Sequence, residues 1–314
     1  MKKKLLTITL VFVLIFTQSL TTVFAEENNS DEYYSETEYF YGEDAANLNI
    51  FNYKEPNENL NLDANILSAK NNIVENFSKP VVVAKKRVYY YNKYDEKNNL
   101  ITSRLMNKNE VIQYKITESY RALPLTSTLS KGFLTPDSEE RGACDFYLGV
   151  YELSDGSYVV QAHTDWPNEY NAIVGGEVYP HNKRDFISLS WGGYDEAFTA
   201  KSKNFYGKYY DGTSISGSRE ESHADRGYIW SFNERKNGTL SGSGIKNCFA
   251  EARLERKYSQ SEGKKTCVNA TYIHTWTRFA GSPKFSISGG VPSMEVTNDS
   301  YSWPIELSVP GLYY

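Results

Sequence analysis

Cysteine is scarce in this chain, with only 3 among 314 residues, which excludes a small scaffold held together by several disulfides. Long apolar runs are also scarce: one lies at the N-terminus, so a protein that crosses a membrane with several helices is excluded. Positive charge is not in excess, because the formal net charge is -5, and no nucleic-acid partner is expected. The motifs of serine hydrolases, zinc proteases, phosphate-binding loops and dinucleotide-binding domains are absent, and we expect no cofactor and no metal.

The one apolar run has the pattern of a secretory signal peptide. Three lysines, Lys2 to Lys4, precede an apolar stretch from Leu5 to Phe16. Val23 and Ala25 occupy the two small-residue positions of a cleavage site. We therefore predict that residues 1–25 are removed, that the mature chain is secreted and that no membrane span remains after cleavage. An uncleaved N-terminal anchor is the alternative.

Residues 26–80 form an acidic leader. This segment contains 12 acidic and 3 basic residues, is rich in Asn and Tyr, and shows no sustained periodicity of a strand or a helix. Such a composition predicts a flexible segment outside the folded core. Its tyrosines leave a second interpretation open, in which the segment docks on a basic partner.

Residues 81–122 are predicted to form a hairpin followed by one short helix. Two strand-like stretches, Arg87–Lys93 and Leu100–Met106, flank a polar turn. Asn107 precedes Glu110 by three residues, which is the spacing of a capping box, and the helix is expected to continue through Ile116.

Residues 123–314 are predicted to form a β-sandwich domain. Short stretches of β-forming residues alternate with turns rich in Gly, Asn and Asp, and no alternation of strands and helices is present. This pattern favours a mainly β fold made of two antiparallel sheets, with a closed barrel as the alternative.

Aromatic residues beside turn-forming residues predict a binding face. Trp166, Trp191 and Tyr194 lie next to Pro or Gly residues, and Asp195 follows the tyrosine. Aromatic rings with a few polar groups are typical of small-molecule sites, and sugars bind to such combinations. We therefore expect these four residues to bind cell-wall glycan or an extracellular protein. In the alternative interpretation, Trp191 ends the strand Phe186–Trp191 and packs in the core.

A secreted hydrolase is the alternative function. Asp165, Glu169 and Asp195 are the loop carboxylates that would act as general acid and base. His163 precedes Asp165 by two residues, so the two side chains share a face if this segment is a strand. This spacing arises easily by chance and does not by itself identify a metal or an acid–base site.

Alternation along residues 264–278 predicts which side chains of that strand are buried. The even-numbered residues are the more apolar ones from Val268 onward, so they should face the core. His274 belongs to this set and is predicted to be a hydrogen-bonded core residue. A hairpin with the preceding strand would set Leu254 opposite Val268 and Ala250 opposite Tyr272.

The same parity argument orients the three cysteines. Cys144 and Cys248 are predicted to face inward, whereas Cys267 is predicted to face outward. A Cys248–Cys267 bond is excluded by this arrangement because the two side chains diverge. Cys144–Cys248 is the favoured disulfide, and two buried free thiols are the alternative.

The stretch Ala270–Trp276, with the sequence ATYIHTW, resembles a Tyr-x-His-Thr-Trp strand of uncharacterised secreted proteins of Gram-positive bacteria. The basic signal sequence and the Ser302-Trp303 pair are also similar to theirs. The resemblance implies a secreted, β-rich protein and carries no known activity or site residue. Together with the patterns above, it predicts a secreted extracellular β-sandwich that is a non-enzymatic binding or interaction protein.

Overall fold

The computed structural model describes thirteen parts of the chain: residues 33–48, 77–94, 100–121, 139–153, 155–166, 184–192, 197–234, 236, 243–257, 265–275, 284–288, 291–295 and 302–313. The predicted signal peptide, residues 26–32 and 49–76 of the acidic leader, and residues 122–138 lie outside the described residues.

Strands make up most of the described residues. They are β1 (Ser35–Tyr41), β2 (Phe77–Tyr94), β3 (Leu100–Leu105), β4 (Glu139–Leu153), β5 (Tyr158–Asp165), β6 (Asp185–Trp191), β7 (Phe198–Tyr209), β8 (Gly217–His223), β9 (Gly227–Phe232), β10 (Ile245–Arg256), β11 (Lys265–Thr275), β12 (Lys284–Ser288), β13 (Val291–Glu295) and β14 (Ser302–Tyr313). Two helices accompany them, α1 (Gly42–Asn47) and α2 (Lys108–Arg121). Neither of these helices is long and apolar enough to cross a membrane.

Twelve of these strands form two antiparallel sheets, which confirms the predicted sandwich. The larger sheet has the order β1-β2-β4-β5-β10-β7, and β3 pairs with the end of β2. The smaller sheet has the order β14-β11-β6-β9-β8, while β12 and β13 pair only with each other. Because β2 pairs with β4 from Phe77 to Lys93, the predicted hairpin segment 81–122 lies in the same sheet as β4, β5, β10 and β7, which belong to the predicted sandwich segment 123–314.

The hydrophobic core lies between the two sheets. One face of each sheet is buried against the other, and apolar side chains of β4, β5, β6, β10, β11 and β14 meet there. On β11 the even residues Val268, Ala270 and Tyr272 are completely buried, as predicted. The core is unusually aromatic, and its largest fully buried side chains include Trp191, Tyr90, Tyr158, Tyr228, Tyr272 and Phe146.

The predicted hairpin between β10 and β11 is wrong. β10 pairs with β5 and β7 in the larger sheet, whereas β11 pairs with β6 and β14 in the smaller one. Leu254 therefore lies opposite Tyr158 and Ala200, not opposite Val268. Along the middle of both strands the even-numbered residues are buried, as the parity argument predicted. Alternation predicts the same buried residues whether the two strands form a hairpin or lie in two sheets that face each other, so it does not determine the pairing.

Helix α2 begins as the sequence predicts. The Asn107 side-chain Oδ1 accepts a hydrogen bond from the Glu110 N–H at 3.1 Å, and Glu110 Oε2 accepts one from the Asn107 N–H at 3.0 Å. This reciprocal pair is the predicted capping box. The helix continues to Arg121, beyond the expected end at Ile116, and the six-residue helix α1 was not predicted.

The acidic leader is partly ordered, which corrects the prediction of a flexible segment for residues 33–48. β1 pairs with β2 over its whole length, with Glu36 opposite Arg87 and Glu38 opposite Lys85. Glu36 accepts hydrogen bonds from the hydroxyls of Tyr34 at 3.2 Å and Tyr89 at 3.0 Å. Residues 35–41 of the acidic leader therefore form an ordered strand on β2 of the same chain.

Lys115 of α2 completes this contact. Its ammonium group forms an ion pair with Glu36 and lies 5.2 Å from the centre of the Tyr89 ring. Burial acts to raise the pKa of Glu36, but the hydrogen bonds from Lys115 and the two tyrosines, together with the Lys115 charge, lower it below its usual value. The ionised carboxylate is therefore the form that holds β1 in place.

We expect Glu36→Gln to loosen β1 while the rest of the sandwich stays folded. The stabilisation from Glu36 is present above the ordinary carboxyl pKa of about 4.3 and is lost as the pH falls through the lower folded value. Hydrogen exchange of the β1 amides at neutral pH checks this, with faster exchange expected in the variant. Glu38→Gln is the matched control, and equally slow exchange in both variants would contradict a role for the Glu36 ion pair.

Candidate functional site

The structure corrects two of the four predicted binding residues. Trp166 is 3% exposed and Trp191 is completely buried, so neither indole presents a ring face to a sugar. Trp166 packs among the rings of Tyr90, Tyr272 and Trp303, at centroid distances from 5.7 to 6.4 Å. Trp191 packs against Tyr228 in the core, as the alternative interpretation proposed. The other two residues, 194 and 195, lie outside the described part of the chain.

The favoured disulfide is not formed. Cys144 and Cys248 are both free and completely buried, and Cys267 is exposed, so the predicted orientations are confirmed. Cys144 lies on β4 and Cys248 on β10, and β5 runs between these strands. Two strand spacings amount to about 9.6 Å, which is too far for a disulfide. Instead, Cys248 Sγ lies 3.0 Å from Thr164 Oγ1, and burial raises the pKa of the Cys248 thiol to about 12.

The outer face of the larger sheet carries a row of four rings. Tyr147, His163, Phe249 and Tyr206 occupy directly paired positions on β4, β5, β10 and β7. The rings stand side by side, with centroid distances of 5.4, 3.9 and 4.8 Å along the row and nearly parallel planes. The faces of the inner rings are therefore occupied by their neighbours, and of the two end rings the half-buried Tyr206 on β7 is more exposed than the buried Tyr147 on β4.

His163 is a neutral member of this row. Its side chain is almost completely buried, and neither ring nitrogen has a hydrogen-bond partner among the described residues. Burial lowers the pKa of His163 to about 3. The His-x-Asp spacing places Asp165 on the same face, but the imidazole stacks on Phe249 and does not form a hydrogen bond with that carboxylate.

A polar network borders the β7 end of the row. Gln161 Nε2 donates to the Tyr206 hydroxyl at 2.5 Å and to Glu251 Oε2 at 3.1 Å, and Asn204 Nδ2 lies 3.5 Å from Glu251 Oε1. Asn204 is exposed, while Tyr206 and Glu251 are half-buried. We call Asn204, Tyr206 and Glu251, with Gln161 beneath them, the β7 edge cluster. It combines the ring of Tyr206 and the amide of Asn204 on β7, the strand that ends the sheet, with the carboxylate of Glu251 on β10 and the amide of Gln161 on β5.

Two carboxylates occupy paired positions two residues away from Tyr147 and His163 on the same strands. Asp145 on β4 is paired in register with Asp165 on β5. Arg87 donates two hydrogen bonds of 2.6 Å to Asp145. Asp165 is half-buried, and burial, followed by the nearby charge of Asp145, raises the pKa of Asp165. Of the carboxylates predicted for a hydrolase, the other two, at 169 and 195, lie outside the described residues.

A second polar cluster lies at one end of the core, where β6 begins and β9 and β11 end. His274 is 5% exposed, which confirms its predicted burial, and its Nδ1 lies 3.4 Å from Asp185 Oδ2. The same nitrogen lies 3.7 Å from Glu234 Oε1. The Tyr272 hydroxyl also donates to Asp185 Oδ2, and the Thr275 N–H donates to Asp185 Oδ1 at 3.0 Å. Burial and the adjacent Asp185 raise the pKa of Tyr272, so the hydroxyl stays protonated.

Sequence reasoning missed both clusters. The residues of the β7 edge cluster come from three strands whose pairing order the sequence does not reveal. Alternation alone marks Gln161, His163 and Asp165 as one face of β5, but it does not show which strands lie beside them. Asp185 and Glu234 were missed because each is separated from His274 by at least 40 residues along the chain and no local motif links them.

Comparisons with known proteins do not assign this chain to a family. No protein-family model matches the chain, and no curated protein matches it. One solved structure that it resembles is described as BspA_C_WT, with 8% sequence identity, a TM-score of 0.21, and coverage of 63% of this chain and 89% of that chain. A TM-score of this size supports no inference about function.

Proposed function

We propose that this protein is a secreted, non-enzymatic binding protein that holds cell-wall glycan at the β7 edge cluster. Secretion is supported by the signal-peptide pattern of residues 1–25. Glycan binding is supported by one observation above all: a half-buried tyrosine ring on β7, the last strand of a sheet, is bordered by two amides and a carboxylate that β7, β10 and β5 contribute.

The chemistry of these groups suits a sugar. Each hydroxyl of a sugar both donates and accepts, so it pairs with the carboxylate oxygens of Glu251 and with the amide of Asn204. The Tyr206 ring is backed by Phe249, which fixes its orientation before a ligand arrives. Gln161 is buried and holds both the Tyr206 hydroxyl and the Glu251 carboxylate, so the polar groups are preorganised.

The proposal is tested by retention of the purified protein on protein-free cell-wall glycan. We expect Asn204→Ala and Glu251→Gln each to weaken retention by about tenfold, because each loses a hydrogen bond to a sugar hydroxyl. The matched control is Glu306→Gln, an exposed carboxylate on β14 of the smaller sheet. Thermal unfolding of each variant shows whether the fold is intact.

Three outcomes decide between the candidate functions. Unchanged retention in both variants would overturn the β7 edge cluster as the site. Retention that requires wall-associated protein would point to a protein partner instead. Cleavage of the glycan during the incubation, abolished by Asp165→Asn, would support the hydrolase, because Asp165 has a raised pKa beside an arginine-bound carboxylate, an arrangement suited to a general acid.

A further inference from the structure

We propose that Asp185, Glu234 and His274 form a binding site for one divalent transition-metal ion, with Zn²⁺ as the reference ion. This site is distinct from the β7 edge cluster and does not depend on glycan binding. Each residue contributes one ligand atom, and the three atoms lie within 4.8 Å of one another.

The distances fit coordination by a single ion. Two ligand atoms bound to zinc at about 2.1 Å in tetrahedral geometry are separated by about 3.4 Å. His274 Nδ1 lies 3.4 Å from Asp185 Oδ2 and 3.7 Å from Glu234 Oε1, so both edges are close to this value. One imidazole and two carboxylates are ligands that zinc and its neighbours in the first transition row accept.

The cluster is buried and contains two carboxylates. Asp185 is 1% exposed, and the Glu234 side chain is 13% exposed. Two carboxylate ligands would offset the charge of a divalent ion held at this end of the core.

The surroundings supply the supporting contacts that metal sites need. The Thr275 N–H and the Tyr272 hydroxyl fix the Asp185 carboxylate, which is how outer contacts orient a ligand. Beside His274, at a centroid distance of 6.3 Å, lies Trp166, whose buried Nε1–H has no acceptor among the described residues. A water molecule completing the coordination of the ion would give this orphaned donor a partner.

The test measures metal binding by the full chain after treatment with a chelator. Isothermal titration with Zn²⁺ is expected to show one site, and Co²⁺ is expected to give a visible absorption band and to quench tryptophan fluorescence. Quenching follows because the Trp303 ring lies 4.8 Å from that of His274. These readouts report the ion itself and require no activity.

Variants distinguish this site from adventitious binding. Glu234→Gln should weaken Zn²⁺ binding by more than about tenfold while the protein stays folded, because this side chain lies at the edge of the core. His274→Asn should abolish the Co²⁺ band. His223→Asn, which alters an exposed histidine on β8, is the control and should leave both signals unchanged. Absence of a one-to-one site in the unaltered protein, or equal affinity in Glu234→Gln, would overturn the proposal.

Discussion

Replacement of Trp166 by alanine is expected to lower the free energy of unfolding by about 3–5 kcal/mol. The indole is 3% exposed and lies at the centre of a group of rings contributed by both sheets, including Tyr90 of the larger sheet and Trp303 of the smaller one. Removing it leaves a cavity that rigid aromatic neighbours cannot fill. Urea denaturation of the purified protein measures the loss.

Trp166→Phe serves as the control for this expectation. In the chelator-treated protein the indole Nε1 has no partner among the described residues, so phenylalanine loses packing volume but no hydrogen bond to them, and a smaller loss of stability is expected. Glycan retention, compared at a temperature where all variants are folded, should not change. A loss below about 1 kcal/mol for alanine, accompanied by weaker retention, would instead restore Trp166 as a binding residue.

The stability of the protein is expected to fall on acidification, and His163 is expected to account for much of that fall. Burial lowers the pKa of His163 to about 3 in the folded protein, whereas an unfolded histidine titrates near 6.5. Between these values the unfolded chain binds the extra proton, so stability decreases as the pH falls through this window. The expected slope is roughly 1 kcal/mol per pH unit.

His163→Phe isolates this contribution, since phenylalanine preserves the stack between Tyr147 and Phe249 and cannot be protonated. Asp165 acts in the opposite direction, because its raised pKa favours the protonated folded form in acid, but it is present in both proteins and cancels in the comparison. The unfolding free energies of the unaltered protein and of His163→Phe, measured from pH 7 to pH 4, should converge or cross. Parallel curves for the two proteins would contradict a neutral buried His163, and His223→Asn should follow the unaltered protein.

Local patterns predicted local features of this fold, and they did so for identifiable reasons. The capping box was predictable because Asn107 and Glu110 satisfy each other's backbone N–H groups within one turn of helix. The inward orientation of Cys144 and Cys248 was predictable because side chains alternate along any strand, whatever its neighbours are. Both inferences depend only on residues close together in the sequence.

Features that depend on pairing between distant strands were not predictable. Alternation is equally satisfied when β10 and β11 form a hairpin and when they face each other across a core, so the sequence could not choose between the two. The turn-forming residues beside Trp166 and Trp191 in the sequence do not show whether the two indoles are exposed or buried. The pairing of β1 with β2 was not predicted, because the contacts that hold β1, such as the ion pair of Glu36 with Lys115, join residues that lie far apart along the chain.

The separation of β10 and β11 into different sheets has a consequence for how this protein acquires its structure. The larger sheet needs β10 to join β5 to β7, and the smaller sheet needs β11 to join β6 to β14. The larger sheet therefore cannot be completed until residue 256 has been translated, and the smaller sheet, which includes β14, cannot be completed until residue 313 has been translated. Pairing between segments so far apart makes folding slow, on a scale of milliseconds to seconds, because long loops must close before their contacts form.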